Sequence, residues 1–258
     1  MTTTAERATE LLRLHRDPSL LKVVNVWDPI SASAVAGAAG TSALATASHS
    51  IAATLGYEDG ERIPVDEMLD MVRRIVVATD LPVTADLEGG YGDAPETVRR
   101  AIELGVVGAN VEDQLQPVDE AAAQVEAIMR VARDAGVPDF VLNARTDAFV
   151  LGGDRDRDVI VADALERGRA YLDAGAPVVF VPGPVTSEEV RTLVDAFGPQ
   201  RLTTIAVPGT PSFDELQVLG VARVSFGPIS QRVALTALQE LAETALAHGE
   251  LPGFRVLN

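Results

Sequence analysis

One pattern restricts the fold of this chain more than any other. Eight β-prone runs, each followed by a helix-prone stretch, repeat along nearly all of its 258 residues. The runs are Val23–Asp28, Ala43–Ser48, one beginning at Val83, Gly108–Glu112, Phe140–Asp147, Val178–Val181, Leu202–Val207 and Ala222–Phe226. The stretches between them carry apolar residues at helical spacing, as with Met68, Leu69, Val72 and Ile75 after Pro64. Gly105, Gly136, Gly175 and Gly220 follow four of these helices, where a left-handed C-cap turns the chain into the next strand. The runs are almost continuously apolar, as in parallel strands buried on both faces. Eight such units in this length predict a single (β/α)8 barrel over residues 1–258, with an extra N-terminal helix within Met1–Asp17. A doubly wound open sheet is the competing architecture, but no Gly-x-Gly-x-x-Gly turn follows the first run. The second run passes through His49-Ser50 toward an irregular piece, Leu55–Gly60.

In a barrel of this kind the chemistry sits at the C-terminal ends of the strands. Those ends collect Asp28, Ser48, His49, Asp86, Glu88, Glu112, Asp113, Arg145 and Asp147. Asp86 and Glu88 lie two apart, so on a strand they point to the same side. Clustered carboxylates are costly unless a cation neutralises them. A hard, oxygen-liganded ion such as Mg²⁺ among Asp86, Glu88 and Glu112 removes that cost. Arg145, the one cation predicted on this rim, then remains to hold a substrate carboxylate through its forked geometry. Mg²⁺ acting as a Lewis acid beside a carbonyl points to chemistry through a metal-bound enolate of a 2-oxo acid. The competing reading is that these acids cap helices or face solvent.

The net charge of −17 excludes nucleic acid and anionic membranes as partners, because both require a basic face. It leaves open a small anionic substrate, which needs only one local cation. The absence of cysteine removes disulfides, thiolate metal sites and a Cys nucleophile. No uncharged apolar run is long enough to span a bilayer. The N-terminal stretch reads as an amphipathic helix rather than a signal peptide, so a cytoplasmic protein is expected.

Three segments together resemble the isocitrate lyase/phosphoenolpyruvate mutase superfamily: Asp86-Leu87-Glu88-Gly89-Gly90-Tyr91-Gly92, Gly108–Gln114, and Asn143-Ala144-Arg145-Thr146-Asp147-Ala148. Asn25-Val26-Trp27-Asp28 and Leu55–Asp59 fit the same pattern, and the resemblance runs from about Val23 to Gln231. It implies a (β/α)8 barrel, a homo-oligomer (dimer or tetramer) with its last helix exchanged between subunits, and Mg²⁺ as cofactor. The implied metal ligands are Asp86, Glu88 and Glu112, with Asp59 acting through water. The implied substrate contacts are Arg145, Asp86 and the end of the second strand, Thr46, Ala47 and Ser48. Arg145 and Glu112, with Tyr91 and His49, form the candidate catalytic set.

The departures from the family are equally specific. The carbon–carbon lyases carry a Cys-bearing loop after the fourth strand, and the mutases a loop with Lys and Asn. Here the region is Gln114-Leu115-Gln116-Pro117-Val118-Asp119-Glu120. The sixth strand ends in Val181-Pro182 rather than near a Glu, and the seventh in Val207-Pro208. Three readings follow. The first is an Mg²⁺-dependent lyase or decarboxylase acting on a small 2-oxo or 2-hydroxy acid. The second is a phosphoenolpyruvate mutase or phosphonopyruvate hydrolase type of enzyme, working on a P–C bond. The third is a non-catalytic protein that binds an oxo acid. The bare sixth and seventh strand ends predict a substrate with one oxo-acid head and a less polar remainder, for which isocitrate and methylisocitrate are poor fits.

Other residues carry two readings each. His49 suits acid/base work or a loop cap. Tyr91 donates to the substrate or packs behind the metal, Trp27 reads as core, and Asp28 caps a helix or stands beside the metal. His15 and His248 fall on helices expected at the surface. Val233, Leu235, Leu238, Leu241 and Leu246 give the last helix, Ile229–Ala247, an apolar surface for self-association or for packing on its own barrel.

Overall fold

The computed structural model describes residues 2–249, 253 and 255. After the N-terminal helix α1 (Thr4–Arg16), the first β run forms two short strands, β1 (Leu21–Val23) and β2 (Asn25–Val26). The remaining strands are β3 (Leu44–Thr46), β4 (Val83–Asp86), β5 (Gly108–Glu112), β6 (Val141–Arg145), β7 (Val178–Val181), β8 (Leu202–Ile205) and β9 (Arg223–Ser225). All pairs are parallel, in the order β1-β9-β8-β7-β6-β5-β4-β3-β2. The first run changes partner at Val24: β1 pairs with β9 and β2 with β3. That single run therefore joins the two ends of the sheet, and the expected eight-unit barrel appears as nine strand segments.

The helices are α2 (Pro29–Ala36), α3 (Ser48–Leu55), α4 (Val65–Val77), α5 (Ala94–Glu103), α6 (Val118–Asp134), α7 (Arg157–Asp173), α8 (Ser187–Phe197), α9 (Phe213–Leu219) and α10 (Ile229–His248). The four glycines expected as left-handed caps all have positive φ, from 77° at Gly136 to 99° at Gly175. The second run ends at Thr46 rather than at Ser48, and the helix α3 takes up Ser48–Leu55, which the sequence pattern does not mark as helical. Its first turn exposes His49 among buried serines, so it has no clear apolar stripe in sequence; Gly56 closes it with φ 84°. Among the described residues no helix is long and apolar enough to cross a membrane.

One correction comes from the lower end of the barrel, the burial of His15. His15 is fully buried, because α1 packs across the N-terminal ends of the strands, where Leu11 also reaches Gly108. Burial, reinforced by the charge of Arg223, pushes the His15 imidazole down to about 3; Nδ1 lies 2.8 Å from the Leu11 carbonyl. Arg223 is the largest of the fully buried side chains. Among the described residues its three guanidinium nitrogens have no hydrogen-bond partner. Burial lowers its pKa to about 10, which still leaves it charged at pH 7. The side chain of His248 lies outside the described residues.

Candidate active site

The strand register assembles the site. Asp86 ends β4 and pairs with Asn110 of β5; Glu112 ends β5 and pairs with Arg145 at the end of β6; Arg145 pairs in turn with Phe180 of β7. The junction between β3 and α3 then orients Asp86. Ser48 donates to Asp86 Oδ2 from its backbone nitrogen at 3.1 Å and from Oγ at 2.9 Å. The Asp86 N–H donates to Thr46 Oγ1 at 2.9 Å. Arg145 is clamped from two sides. Its Nη1 meets Glu112 Oε2 at 2.7 Å, while Nε and Nη2 both reach Asp147 Oδ1 at 2.7 Å.

Glu88 lies just behind this row, in a left-handed conformation with φ 52° that few non-glycine residues adopt. Tyr91, also left-handed, donates its hydroxyl to Glu88 Oε1 at 2.9 Å. The Glu61 N–H donates to Glu88 Oε2, and Glu61 Oε1 accepts the Tyr91 N–H at 2.6 Å. Gly90 makes this turn possible. Its φ is 95°, and a Cβ there would fall 2.2 Å from Ala94 Cβ.

The electrostatics follow from burial and an excess of carboxylates. Burial pushes Glu112 up to about 8, against the pull of Arg145, and the charges of Asp147 and Asp86 push the same way. Burial also raises Glu88 and Asp147. Arg145 loses some proton affinity to burial, but Glu112, Asp147 and Asp86 more than restore it, so it stays charged. Ion pairing would ordinarily lower Glu112; it rises because burial outweighs the pull of Arg145. Tyr91 is held protonated, chiefly by burial and then by Glu88.

The C-terminal mouth opens into a cavity of about 280 Å³, with Ser48, His49, Asp59, Asp86, Asn110 and Arg145 on its polar side. Ala47 lies among them, and Phe180, Pro182, Ile205 and Pro228 form an opposing, less polar wall. Of the residues expected at the site, Ala47, Ser48, His49, Asp59, Asp86 and Arg145 border this cavity directly. Thr46, Glu88, Tyr91 and Glu112 stand behind it and hold or neighbour those that do. His49 Nδ1 lies 3.5 Å from Asp59 Oδ2, both half-exposed. Asp28 is a helix cap, accepting from Ser31 N at 2.6 Å, and Trp27 packs partly buried against the core. A larger hollow of about 490 Å³ lies at the opposite end, beside α1. Its one carboxylate, Asp139, is engaged by Thr9 Oγ1 at 2.7 Å, whereas the smaller cavity is bordered by Asp59 and Asp86.

Glu61, Ser225 and Arg232 escaped sequence reasoning, and Asn25, quoted there only within a motif, gains a role. Glu61 sits in an irregular segment with no periodicity. Asn25 Oδ1 accepts from Phe226 N and Gly227 N, both at 2.8 Å, tying the first strand to the last. Ser225 ends β9 and borders the cavity, as the strand-end rule would have indicated. Arg232 borders it too, from the first turns of α10. The region where the family carries its catalytic loop is a fixed turn. Gln114 and Leu115 have φ of 47° and 55°, and Asp113 Oδ1 accepts from Leu115 N and Asp147 N, each at 3.0 Å. Arg167 and Tyr171 both donate to Asp113 Oδ2.

The donor set suits a hard divalent cation: Asp86, Glu88 and Glu112 offer only oxygen, and one guanidinium serves the surrounding acids. As they stand, Asp86 is turned to Ser48, Glu88 to Tyr91 and Glu112 to Arg145. Among the described residues no three acids or histidines already form a ligand shell.

A family model described as phosphoenolpyruvate phosphomutase matches residues 11–246. The 2,3-dimethylmalate lyase of Eubacterium barkeri is 32% identical over 206 residues, which cover 74% of this chain and 69% of that protein. A crystal structure from Burkholderia cenocepacia J2315, provisionally described as a phosphonomutase, superposes with a TM-score of 0.87 at 40% identity, covering 94% of this chain and 99% of the other. Oxaloacetate acetylhydrolase with its product oxalate superposes with a TM-score of 0.85 at 26% identity, covering 98% and 91%.

Proposed function

This chain belongs to the isocitrate lyase/phosphoenolpyruvate mutase superfamily, and from that premise we propose an Mg²⁺-dependent lyase or decarboxylase acting on a small 2-oxo or 2-hydroxy acid through an enolate. The observation that carries this reading is the row Asp86, Glu112 and Arg145 at adjacent strand ends, where the Glu112 and Asp147 carboxylates share one guanidinium beside a cavity. Asp86, Glu88 and Glu112 would hold the ion, with Asp59 reaching it through water. When bound, Mg²⁺ supplies Lewis-acid stabilisation of negative charge on a substrate oxygen.

The chain's own groups do the rest. Arg145 takes the substrate carboxylate in a bidentate grip, and Glu112 and Asp147 hold its guanidinium in place. Thr46 and Ser48, at the junction of β3 and α3, fix Asp86, and Ala47 and Ser48 border the substrate. Decarboxylation of a 2-oxo diacid releases CO2 and leaves the electron pair of the broken carbon–carbon bond on the remaining oxo acid as its enolate, which a site group then protonates. Cleavage of a 2-hydroxy acid instead needs a site base to take the hydroxyl proton as the carbinol carbon becomes the oxo acid's carbonyl. The pair then stays on the other fragment until that is protonated. His49 is the candidate for that proton, since its imidazole borders the cavity and can take up and release a proton. Tyr91 acts from behind, holding Glu88.

We also assign self-association through α10. After its first turns this helix leaves the barrel, with Val233 64%, Leu235 56%, Leu238 59% and Leu246 89% exposed. Leu241 is only partly exposed. Gln231 anchors the helix start, donating to the Ser50 carbonyl and to Thr54 at 3.0 Å each. A second subunit is the occupant that would bury the exposed apolar face.

The test is a panel of 2-oxo, 2-hydroxy and phosphono acids with and without Mg²⁺, following release of pyruvate, glyoxylate or oxalate. Mg²⁺-dependent carbon–carbon cleavage that disappears in Asp86→Asn is expected. Turnover confined to phosphonates would replace this reading with P–C chemistry. Binding of oxo acids with no turnover of any would reduce the protein to a binding homologue.

A further inference from the structure

We propose that Arg232 is a second anion anchor that selects substrates with a carboxylate at each end. The assignment rests on the function proposed above. The sequence expectation of a less polar remainder considered only the strand ends Val181-Pro182 and Val207-Pro208. The structure adds the helix that follows the last strand. Gly227 and Pro228 turn the chain at the cavity rim, and α10 begins there, with Arg232 N–H donating to the Pro228 carbonyl at 3.0 Å. Arg232 thus becomes part of the cavity wall, together with Phe180, Pro182 and Ile205.

The two arginines of this cavity are in different states. Arg145 is already paired with Glu112 and Asp147. Arg232 is exposed, and among the described residues its guanidinium forms no ion pair. A sphere of the cavity's volume is about 8 Å across, room for a four- or five-carbon diacid, and both Arg145 and Arg232 border it. Phe180, Pro182 and Ile205, which share the lining with Arg232, offer no side-chain hydrogen bonds to a second carboxylate, and Arg232 is the cation in the lining besides Arg145 that can offset its desolvation. Arg232 would act on affinity and substrate choice. A tricarboxylate has a third charge for which this cavity offers no further cation, so isocitrate and methylisocitrate remain poor fits.

The experiment compares two ligands by calorimetry on full-length protein saturated with Mg²⁺. Pyruvate carries one carboxylate, and 3,3-difluorooxaloacetate carries two and resists decarboxylation. Wild type should favour the diacid, and Arg232→Gln should reduce the ratio of the two dissociation constants on the order of tenfold, the effect expected for one charge-assisted hydrogen bond. Arg232→Lys should restore part of the preference. The side chain is exposed, so both variants should fold, and unfolding curves check this. An unchanged ratio in Arg232→Gln, or equal losses for both ligands, overturns the proposal while leaving the enzyme reading intact. Failure of wild type to bind either acid with Mg²⁺ removes that reading and this proposal with it.

Discussion

Replacing His15 by Leu should remove a specific part of the protein's acid sensitivity. His15 is fully buried under the barrel, and its pKa is pushed down to about 3 from 6.5. A base with a depressed folded pKa stays neutral in the folded state while the unfolded chain takes up a proton. Its contribution to stability is therefore intact above about pH 6.5 and is lost as pH falls from there toward 3. The unfolded state binds more protons throughout that window, so stability rises with pH. From these two values the loss between pH 7.5 and pH 5 is about 2 kcal/mol, approaching about 1.4 kcal/mol per pH unit in the steep region. Other groups titrate as well. Glu112, raised to about 8, works in the opposite sense: its contribution is present below the unfolded carboxyl pKa and lost as pH rises through 8. Comparing wild type with His15→Leu at each pH cancels such terms. Urea unfolding at pH 7.5, 6 and 5 measures the difference, with equal m-values confirming that both proteins unfold over similar surface. The stability curve of the variant should be shallower by about 2 kcal/mol over that range. Parallel curves would refute a buried, neutral His15.

Asp86→Ala should abolish Mg²⁺-linked stabilisation, which in wild type reaches about 2.7 kcal/mol at a hundredfold excess over the dissociation constant; an unchanged melting response would remove Asp86 from the metal site. Arg223→Met should leave the protein as stable or stabilise it by up to a few kcal/mol, because a buried cation without a hydrogen-bond partner gives way to an apolar side chain of similar length; a marked fall in denaturation midpoint would show that Arg223 has a compensating partner. Leu238→Glu should lower the mass measured by light scattering at micromolar concentration, and a wild-type monomer under the same conditions would show that α10 packs without a second copy.

The sequence alone determined the architecture, because the barrel is written in local rules. Periods of two and 3.6 residues, and glycines such as Gly105 and Gly175 that accept positive φ at helix ends, act within a few residues and need no distant partner. It also determined the acidic row, since Asp86, Glu112 and Arg145 each end a strand and parallel strands align their ends on one rim. The tertiary structure alone decided what depends on residues far apart in the chain. His15 looks like a surface residue on a polar helix, yet α1 is folded across the barrel floor and excludes water from it. Arg223 lies in a strand whose local pattern says only that it alternates, and closure of the barrel around it makes it a buried cation. Glu61 reaches Tyr91 from an aperiodic segment, and Arg232 enters the cavity wall only because Pro228 turns the last helix at the rim. Burial and pairing are properties of distance in space, so no spacing within the sequence encodes them.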